Sequence, residues 1–126
     1  MAIVGIGTDI VEIARIRDQR ERLGDKLAKR ILTDTEFALY AASKIPERFL
    51  AKRFAAKEAA AKALGTGIGR GVSFQHIHIA NDANGAPIVT FTLGAKARLE
   101  QLKGRHGFIT IADEQHYAVA TVVLES

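Results

Sequence analysis

One helix dominates what this chain can fold into. Segment 46–64 is rich in alanine, and its first residue is a proline, which suits the first turn of a helix. Gly65 suits the position just after the last turn. The four-residue spacing of Phe54, Glu58 and Lys62 places these side chains on one face of the predicted helix. The remaining elements must pack around this helix.

The rest of the chain supplies shorter helices first and strands later. Period-2 patterns and turn residues predict strands at 3–10, 73–80, 88–93, 108–112 and 117–124. Helices are predicted at 12–22, 26–31 and 95–102, and another begins at the capping box formed by Thr33 and Glu36. Over 126 residues there is neither a linker nor a repeat. The pattern predicts a single α+β domain, 1–126, with a mostly antiparallel sheet packed with the long central helix and the shorter helices.

Composition excludes several classes of protein. Hydrophobic residues make up 48% and charged residues 25%, which is typical of a soluble globule. The absence of cysteine excludes disulfide scaffolds, thiol catalysis and cysteine-ligated zinc. The apolar start is interrupted by Asp9 and Glu12, unlike a signal peptide. No apolar run approaches the roughly 18 residues of a membrane span. We therefore expect a cytoplasmic protein.

The positive charge is concentrated in the first half. The net charge is +4, and residues 1–62 carry 13 Lys and Arg against 9 Asp and Glu, whereas the remainder is balanced at 5 against 5. This asymmetry fits either a solvated surface or an acidic or phosphate-rich partner. Aromatic residues are only 6%, and none interleaves with the arginines of segment 12–30. Recognition of single-stranded nucleic acid by stacking is therefore disfavoured.

Three charged residues are candidates for phosphate chemistry. Glu58 and Lys62 fit a simple i,i+4 ion pair worth about 0.2–0.5 kcal/mol. They fit equally a carboxylate and an ammonium directed at a polyanion and its metal. Asp9, at the end of the first predicted strand, fits either a helix N-cap with Glu12 as its reciprocal partner or a metal ligand. Mg²⁺ prefers one or two carboxylates together with phosphates and water, and Asp9 and Glu58 are the pair available.

A glycine-rich loop at 65–71 follows the long helix. It matches neither the dinucleotide fingerprint nor the Walker loop. It also follows a helix C-terminus, whose dipole repels phosphate, so phosphate binding there would need Lys62, a metal and loop amides. The alternative is a helix cap followed by a mobile connection.

Histidines are weaker candidates. His76 and His78 are predicted to share a strand face, which suits a metal, but no third ligand is placed nearby. We therefore expect both to be surface or partly buried side chains. His116 lies in a predicted turn.

Two sequence blocks resemble the signatures of the phosphopantetheinyl transferases. The first is GIGTDIVE at 5–12 and the second is RFAAKEAAAKA at 53–63, and GTGIG at 65–69 follows at the spacing of that family. Each block is weak by itself, whereas the ordered set is specific. The length and the continuous match are similar to the small bacterial type, the holo-acyl-carrier-protein synthases.

This resemblance implies transfer of 4′-phosphopantetheine from coenzyme A to a serine of an acidic acyl carrier protein, releasing adenosine 3′,5′-bisphosphate, in fatty acid biosynthesis. It implies Mg²⁺ as cofactor, held by Asp9 and Glu58, with Lys62 on the coenzyme A pyrophosphate. Glu58 is also a candidate to activate the serine, directly or through water. A homotrimer with sites between subunits is implied as well.

The resemblance implies further contacts. Those with coenzyme A are Arg53, Gly65, Thr66, Gly67, Gly85 and Pro87, and those with the carrier protein are Arg15 and Arg22. Many relatives carry a Ser-His or Thr-His pair near the final hairpin, where this chain has Ala112-Asp113-Glu114. Asp113 and His116 are therefore weaker site candidates.

Two other functions remain open at this point. A magnesium-dependent hydrolase of nucleotide pyrophosphates would use the same carboxylates and lysine but would need no carrier protein. A small basic nucleic-acid-binding module would explain the charge but leave Asp9 and Glu58 without a role.

Overall fold

The long predicted helix is the axis of the fold. It is α4 (Pro46–Ala63), and the computed structural model describes all residues 1–126. In chain order the other elements are β1 (Ile3–Glu12), α1 (Ile13–Leu23), α2 (Lys26–Ile31), α3 (Asp34–Ala42), a 3₁₀ turn (Phe74–His76), β2 (Ile77–Asn81), β3 (Pro87–Phe91), α5 (Leu93–Gln101), β4 (His106–Asp113) and β5 (Tyr117–Glu125).

The strands form two antiparallel sheets. One has three strands in the order β1-β5-β4, and the other is the β2-β3 hairpin. Helix α4 packs across the inner face of the three-stranded sheet, and the two sheets share one core of 28 buried residues. The prediction of an α+β fold with a mostly antiparallel sheet around a central helix is confirmed, with the strands divided between two sheets.

Glycine allows β1 to lie unusually close to α4. A Cβ at Gly7 would overlap the carbonyl oxygen of Ala59 and lie 2.6 Å from the backbone nitrogen of Ala63. A Cβ at Gly5 would overlap the carbonyl of Ala63. Small residues on both surfaces therefore bring the backbone of the strand against the backbone of the helix, because side chains of ordinary size would hold them apart.

Strand β1 is longer than predicted, and this changes the environment of Asp9. The strand pairs with β5 as far as Glu12, which faces Tyr117, and Asp9 lies within the strand opposite Ala120. The predicted start of α1 at Glu12 and the N-cap interpretation of Asp9 are both wrong. The hydrogen-bonded ladder with β5 holds these residues in extended conformation, an effect that local helix signals do not contain.

The segment after the glycine loop begins with a 3₁₀ turn instead of a strand. Phe74–His76 is helical, and β2 begins only at Ile77. The prediction that His76 and His78 share a strand face is therefore wrong. The His76 ring folds back, with Nδ1 accepting a hydrogen bond from the Ser73 N–H at 3.2 Å, and His78 Nδ1 lies 3.2 Å from Thr33 Oγ1.

The outer face of the three-stranded sheet is exposed and apolar. Cross-strand register aligns Ile6 with Val123 and Phe108 in one row, and Ile10 with Val119 in another. Ile6 is 68% exposed, Ile10 63% and Phe108 54%. A row of threonines, Thr8, Thr121 and Thr110, separates the two apolar rows. Exposed apolar side chains in such numbers on one sheet face are typical of a protein interface. None of the helices combines the length and the apolar character needed to cross a membrane.

We predict that Gly7→Ala destabilises the protein by about 1–3 kcal/mol or more, because the added methyl group overlaps the backbone of α4, which cannot move as a side chain can. Urea unfolding followed by circular dichroism measures the loss. Glu12→Ala, at the exposed end of the same strand, is the control and should change the free energy of unfolding by less than about 0.5 kcal/mol. Equal stability of the two variants would contradict the close approach.

Candidate functional site

Asp9 and Glu58 line one cleft of about 360 Å³. Asp9 comes from the inner face of β1 and Glu58 from α4, and the close packing of strand on helix brings the two carboxylates to the same opening. The other walls come from the C-terminal end of β1 and from α1, α2 and α4. Their residues are Ile10, Val11, Arg15, Ile16, Gln19, Leu27, Arg30 and Phe54. We call this opening the carboxylate cleft.

Lys62 belongs to the same cluster through Asp9. Its Nζ lies 2.9 Å from Asp9 Oδ1 and donates a second hydrogen bond to the Thr8 carbonyl at 3.1 Å. The ion pair that sequence spacing suggested between Glu58 and Lys62 is absent, because the ammonium turns to Asp9 instead. The hydrogen bond that Lys62 donates to Asp9 raises the pKa of Lys62, which therefore carries its charge at neutral pH.

Glu58 is left without a cationic partner. Burial raises the pKa of its carboxyl group, the neighbouring charge of Asp9 raises it further, and Lys62 and Arg30 oppose the shift. Two carboxylates that repel each other beside an open cleft favour a divalent cation. Asp9 and Glu58 fit Mg²⁺, which accepts one or two carboxylates and leaves its remaining positions to phosphate and water. No third acidic or histidine ligand joins them.

A second opening, of about 160 Å³, lies beside α4 and the β2-β3 hairpin. We call it the basic cavity; its walls are Phe49, Lys52, Arg53, Asn81, Gly85, Pro87 and Ile111. Three of the residues predicted to contact coenzyme A, Arg53, Gly85 and Pro87, thus line one cavity although they span 34 positions of the sequence. It shares no residue with the carboxylate cleft of the same chain.

Arg53 is the dominant charge of the basic cavity. It is buried, its guanidinium lies 4.6 Å from the centre of the Phe49 ring, and it donates to Asn81 Oδ1 at 3.0 Å. Its Nε has no hydrogen-bond partner. A buried cation with an unused donor is costly unless a ligand completes it. The basic cavity is therefore suited to an anionic or polar ligand.

The turn between β2 and β3 shapes the other wall of this cavity. Asn81 Nδ2 donates to the Gly85 carbonyl at 3.0 Å, and Asp82 Oδ1 accepts from the amides of Asn84 and Ala86. Gly85 has φ of +87°, a conformation that favours glycine. The turn fixes the position of Pro87 at the start of β3.

The glycine loop is a helix cap. The N–H of Gly65 donates to the Lys62 carbonyl, and those of Thr66 and Gly67 donate to the Ala61 carbonyl. Gly65 and Gly67 have positive φ, as expected where a helix ends. These three amides are already hydrogen-bonded and are not free donors for phosphate. The Thr66 hydroxyl also donates within the loop, to the Gly67 carbonyl at 2.8 Å.

Asp113 lies apart from the carboxylate cleft. Its carboxylate pairs with Arg48 at 2.8 Å and Lys52 at 3.6 Å, and the hydrogen bond from Arg48 lowers the pKa of Asp113. It therefore holds the basic side chains near the basic cavity. His116 is exposed in the β4-β5 connection, where its amide donates to Glu114 Oε1.

The basic residues of α1 and α2 form an open surface. Arg15 and Arg22 are exposed on α1, and Arg15 also lines the carboxylate cleft. Their spacing of seven residues places both on one side of the helix. No basic residue of α1 or α2 lies within 4.0 Å of a carboxylate. This surface is free to attract an acidic partner.

Several residues that line these openings were not predicted as site residues. Phe54 shares a helix face with Glu58, so periodicity contained that signal. Gln19 and Arg30 reach the carboxylate cleft, and Lys52 and Asn81 reach the basic cavity, through packing between elements that are distant in the sequence. No local pattern indicates such contacts.

Comparison with known proteins gives one consistent result. A model of the 4′-phosphopantetheinyl transferase superfamily matches residues 5–122. The holo-[acyl-carrier-protein] synthase of Shewanella frigidimarina is 83% identical over 126 residues, 100% of each chain.

Solved structures agree with the sequence comparison. The holo-[acyl-carrier-protein] synthase of Neisseria meningitidis has a TM-score of 0.92 and 42% identity, covering 99% of this chain and 100% of that one. The Helicobacter pylori enzyme, solved in complex with coenzyme A, has a TM-score of 0.83 and 34% identity, covering 95% and 99%. With the fold and both signature blocks in agreement, this chain belongs to the 4′-phosphopantetheinyl transferase superfamily.

Proposed function

We propose that this chain is a holo-acyl-carrier-protein synthase that transfers 4′-phosphopantetheine from coenzyme A to a serine of apo acyl carrier protein. The observation that carries the proposal is that Asp9 and Glu58 line one cleft, with Lys62 paired to Asp9, in a member of this superfamily. The coenzyme A complex of the Helicobacter pylori relative supports the choice of donor substrate.

In the proposed reaction the serine hydroxyl oxygen attacks the β-phosphorus of coenzyme A. A new P–O bond forms, the bond to adenosine 3′,5′-bisphosphate breaks, and the serine proton passes to Glu58 or to water. Asp9 and Glu58 would hold Mg²⁺, which when bound neutralises charge on the pyrophosphate.

Lys62 is proposed to bind the pyrophosphate. Its long side chain is 51% exposed and ends at Asp9, next to the proposed metal position. It can therefore exchange its contact with Asp9 for a phosphate oxygen with only rotamer changes. A compact ammonium suits this role as a point charge beside the leaving group.

The adenosine end of coenzyme A is proposed to bind in the basic cavity. Arg53 supplies a buried cation to its wall, and Gly85 and Pro87 supply the turn that lines it. Gly65, Thr66 and Gly67 are proposed to border the pantetheine path. Asp113 would act indirectly, by holding Arg48 and Lys52.

The carrier protein is proposed to dock on α1. Arg15 stands at the rim of the carboxylate cleft and Arg22 two turns further along. An acidic helix lying on these arginines would bring its serine towards Glu58, and charge attraction would speed the encounter at low salt.

A homotrimer with sites between subunits is proposed as the working form. The exposed apolar face of the three-stranded sheet needs a partner, and Ile10 of that face also lines the carboxylate cleft. The cleft and the basic cavity are separate openings in one chain. Pairing the cleft of one subunit with the cavity of its neighbour would complete a binding site for coenzyme A. We propose further that the enzyme works in the cytoplasm and supports fatty acid biosynthesis.

The test of the activity is intact-mass spectrometry of a bacterial apo acyl carrier protein after incubation with this protein, coenzyme A and Mg²⁺. We expect the carrier to gain one phosphopantetheine, and EDTA to abolish the gain. Asp9→Asn and Glu58→Gln should each lower the rate by about 10²–10³ or more, because each removes a charge that would hold the metal.

Asp34→Asn is the control for these variants, since Asp34 is exposed at the start of α3. It should transfer at the unaltered rate.

Glu58→Gln should have a melting temperature at pH 8 that is equal to or higher than that of the unaltered protein, because burial disfavours the charged form of this carboxyl group. Degradation of coenzyme A without a change in the carrier would indicate the pyrophosphate hydrolase. Near-normal transfer by either variant would remove the metal assignment.

Docking on α1 predicts a selective kinetic effect. Arg15→Glu and Arg22→Glu should each raise the KM for carrier protein about tenfold, a loss of about 1.4 kcal/mol, and leave the KM for coenzyme A unchanged. Lys103→Glu reverses an exposed charge elsewhere and is the control. An unchanged KM for carrier protein would remove α1 from the docking surface.

Assembly is tested by light scattering after gel filtration. The unaltered protein should have the mass of three chains, and Phe108→Asp should yield single chains, because a carboxylate would be buried in the proposed interface. Leu39→Asp, at a position 50% exposed on α3, should leave the mass unchanged. A monomeric unaltered protein would contradict the trimer.

A further inference from the structure

A buried ion pair lies between the two openings and has no role in the proposed chemistry. Lys57 Nζ is 2.6 Å from Glu36 Oε1, and both side chains are fully buried. Burial lowers the pKa of Lys57 and the carboxylate of Glu36 opposes that shift. Lys57 directly precedes Glu58 on α4, but its side chain enters the core and not the carboxylate cleft.

Lys57 connects α4 to the opposite wall of the carboxylate cleft. Its ammonium donates to the Ile31 carbonyl at 2.8 Å, at the end of α2, and to the Phe74 carbonyl at 3.1 Å. A cation at this position also satisfies the carbonyl end of α2. Helix α2 supplies Leu27 and Arg30 to the cleft. The spacing of α2 from α4 therefore depends on this ammonium.

The Phe74 backbone held by Lys57 carries a ring that supports two residues of the cleft. The Phe54 ring packs 5.8 Å from the Phe74 ring, and the Arg30 guanidinium lies 5.9 Å from it. Both Phe54 and Arg30 line the cleft, and the charge of Arg30 acts on the Glu58 carboxyl. A shift of the Phe74 backbone would move both.

Glu36 makes the corresponding connection to the basic cavity. Its Oε2 accepts the Ile79 N–H at 2.7 Å, and its Oε1 also accepts the Thr33 N–H at 2.8 Å. Ile79 lies two residues before Asn81, the hydrogen-bond partner of Arg53. The carboxylate therefore fixes the β2-β3 hairpin, and with it the wall opposite Arg53.

A buried ion pair is a weak source of stability, because its attraction roughly offsets the cost of removing two charges from water. Apolar residues of similar volume would fill the core as well. What apolar residues do not supply is directed hydrogen bonds to fixed atoms on four elements: α2, α3, the 3₁₀ turn and β2. The geometry of the pair, and not its contribution to stability, is the property that needs an explanation.

We propose that Lys57 and Glu36 are positioning residues that hold the carboxylate cleft and the basic cavity in the geometry needed to bind metal and coenzyme A. This rests on the proposed function for the identity of the two ligands. Neither side chain touches a ligand; both act through Ile31, Phe74 and Ile79.

The test uses the full-length double variant Lys57→Met/Glu36→Gln, which removes both charges and leaves no unpaired buried ion. We expect it to remain folded at 25 °C by circular dichroism. Its affinity for Mg²⁺, measured by calorimetry on protein without substrates, should fall at least fivefold. Its KM for coenzyme A should rise at least fivefold, and its KM for carrier protein should change less than twofold, because neither side chain forms a hydrogen bond or ion pair with α1.

The control for stability is Leu99→Ala, a buried truncation in α5, a helix that supplies no residue to either opening. Measured below its melting temperature, it should keep both affinities even when its melting temperature falls as far as that of the double variant. A double variant with unaltered Mg²⁺ affinity and unaltered KM for coenzyme A would overturn the proposal and leave the pair a purely structural role.

If the double variant does not fold, Gln75→Ala provides a second test of the proposal. Gln75 is exposed, and its amide donates to the Leu32 carbonyl at 2.6 Å, so it links α2 to the 3₁₀ turn from outside the core. We expect its Mg²⁺ affinity to fall about two- to threefold; an unchanged affinity would overturn the dependence on α2 spacing.

Failure of the proposed function is a separate outcome. If the unaltered protein does not modify a carrier protein, the transferase assignment fails, and the Mg²⁺ titration then decides the positioning role alone.

Discussion

The close contact between β1 and α4 is the constraint on which the rest of the structure depends. Gly5 and Gly7 allow the strand backbone to rest on the alanines of the helix. This contact places Asp9, two residues after Gly7, beside the part of α4 that carries Glu58 and Lys62. A larger residue at either glycine would separate the two carboxylates as well as weaken the core. The signature blocks at 5–12 and 53–63 are thus the two sides of one packing interface as well as a set of polar side chains.

The charged side chains of α4 point to different parts of the structure. Glu58 lines the open cleft without a cationic partner, and Lys62 reaches the strand, where it pairs with Asp9. Lys57, one residue away, points into the core and is neutralised by Glu36. Arg53 lies between these situations, since it is buried but lines the basic cavity. One helix therefore supplies a carboxylate to the open cleft, a buried lysine to the core and a buried arginine to the basic cavity, because successive residues project about 100° apart around its axis.

Local patterns predicted most elements, and failed where tertiary pairing overrides them. The 46–64 helix, its proline start and its glycine stop, and the Thr33–Glu36 capping box are all present. The end of β1 was predicted too early, because its pairing with β5 continues through residues that locally favour a helix start. The 3₁₀ turn at Phe74 was predicted as strand, since three residues are too few for periodicity to distinguish the two. Glu36 was identified as a cap, but the same carboxylate also binds Lys57 and Ile79.

The sequence by itself determined the family, the residue types available for phosphate chemistry and the shared helix face of Glu58 and Lys62, because signature spacing and helical periodicity are local properties. Only the tertiary structure decided which charges meet. It brought Asp9 to Lys62 and left Glu58 unpaired, it joined Arg53 to the hairpin turn, and it buried Lys57 against Glu36. These contacts join residues 21 to 53 positions apart, and their geometry follows from how helices and strands pack, which no local pattern records.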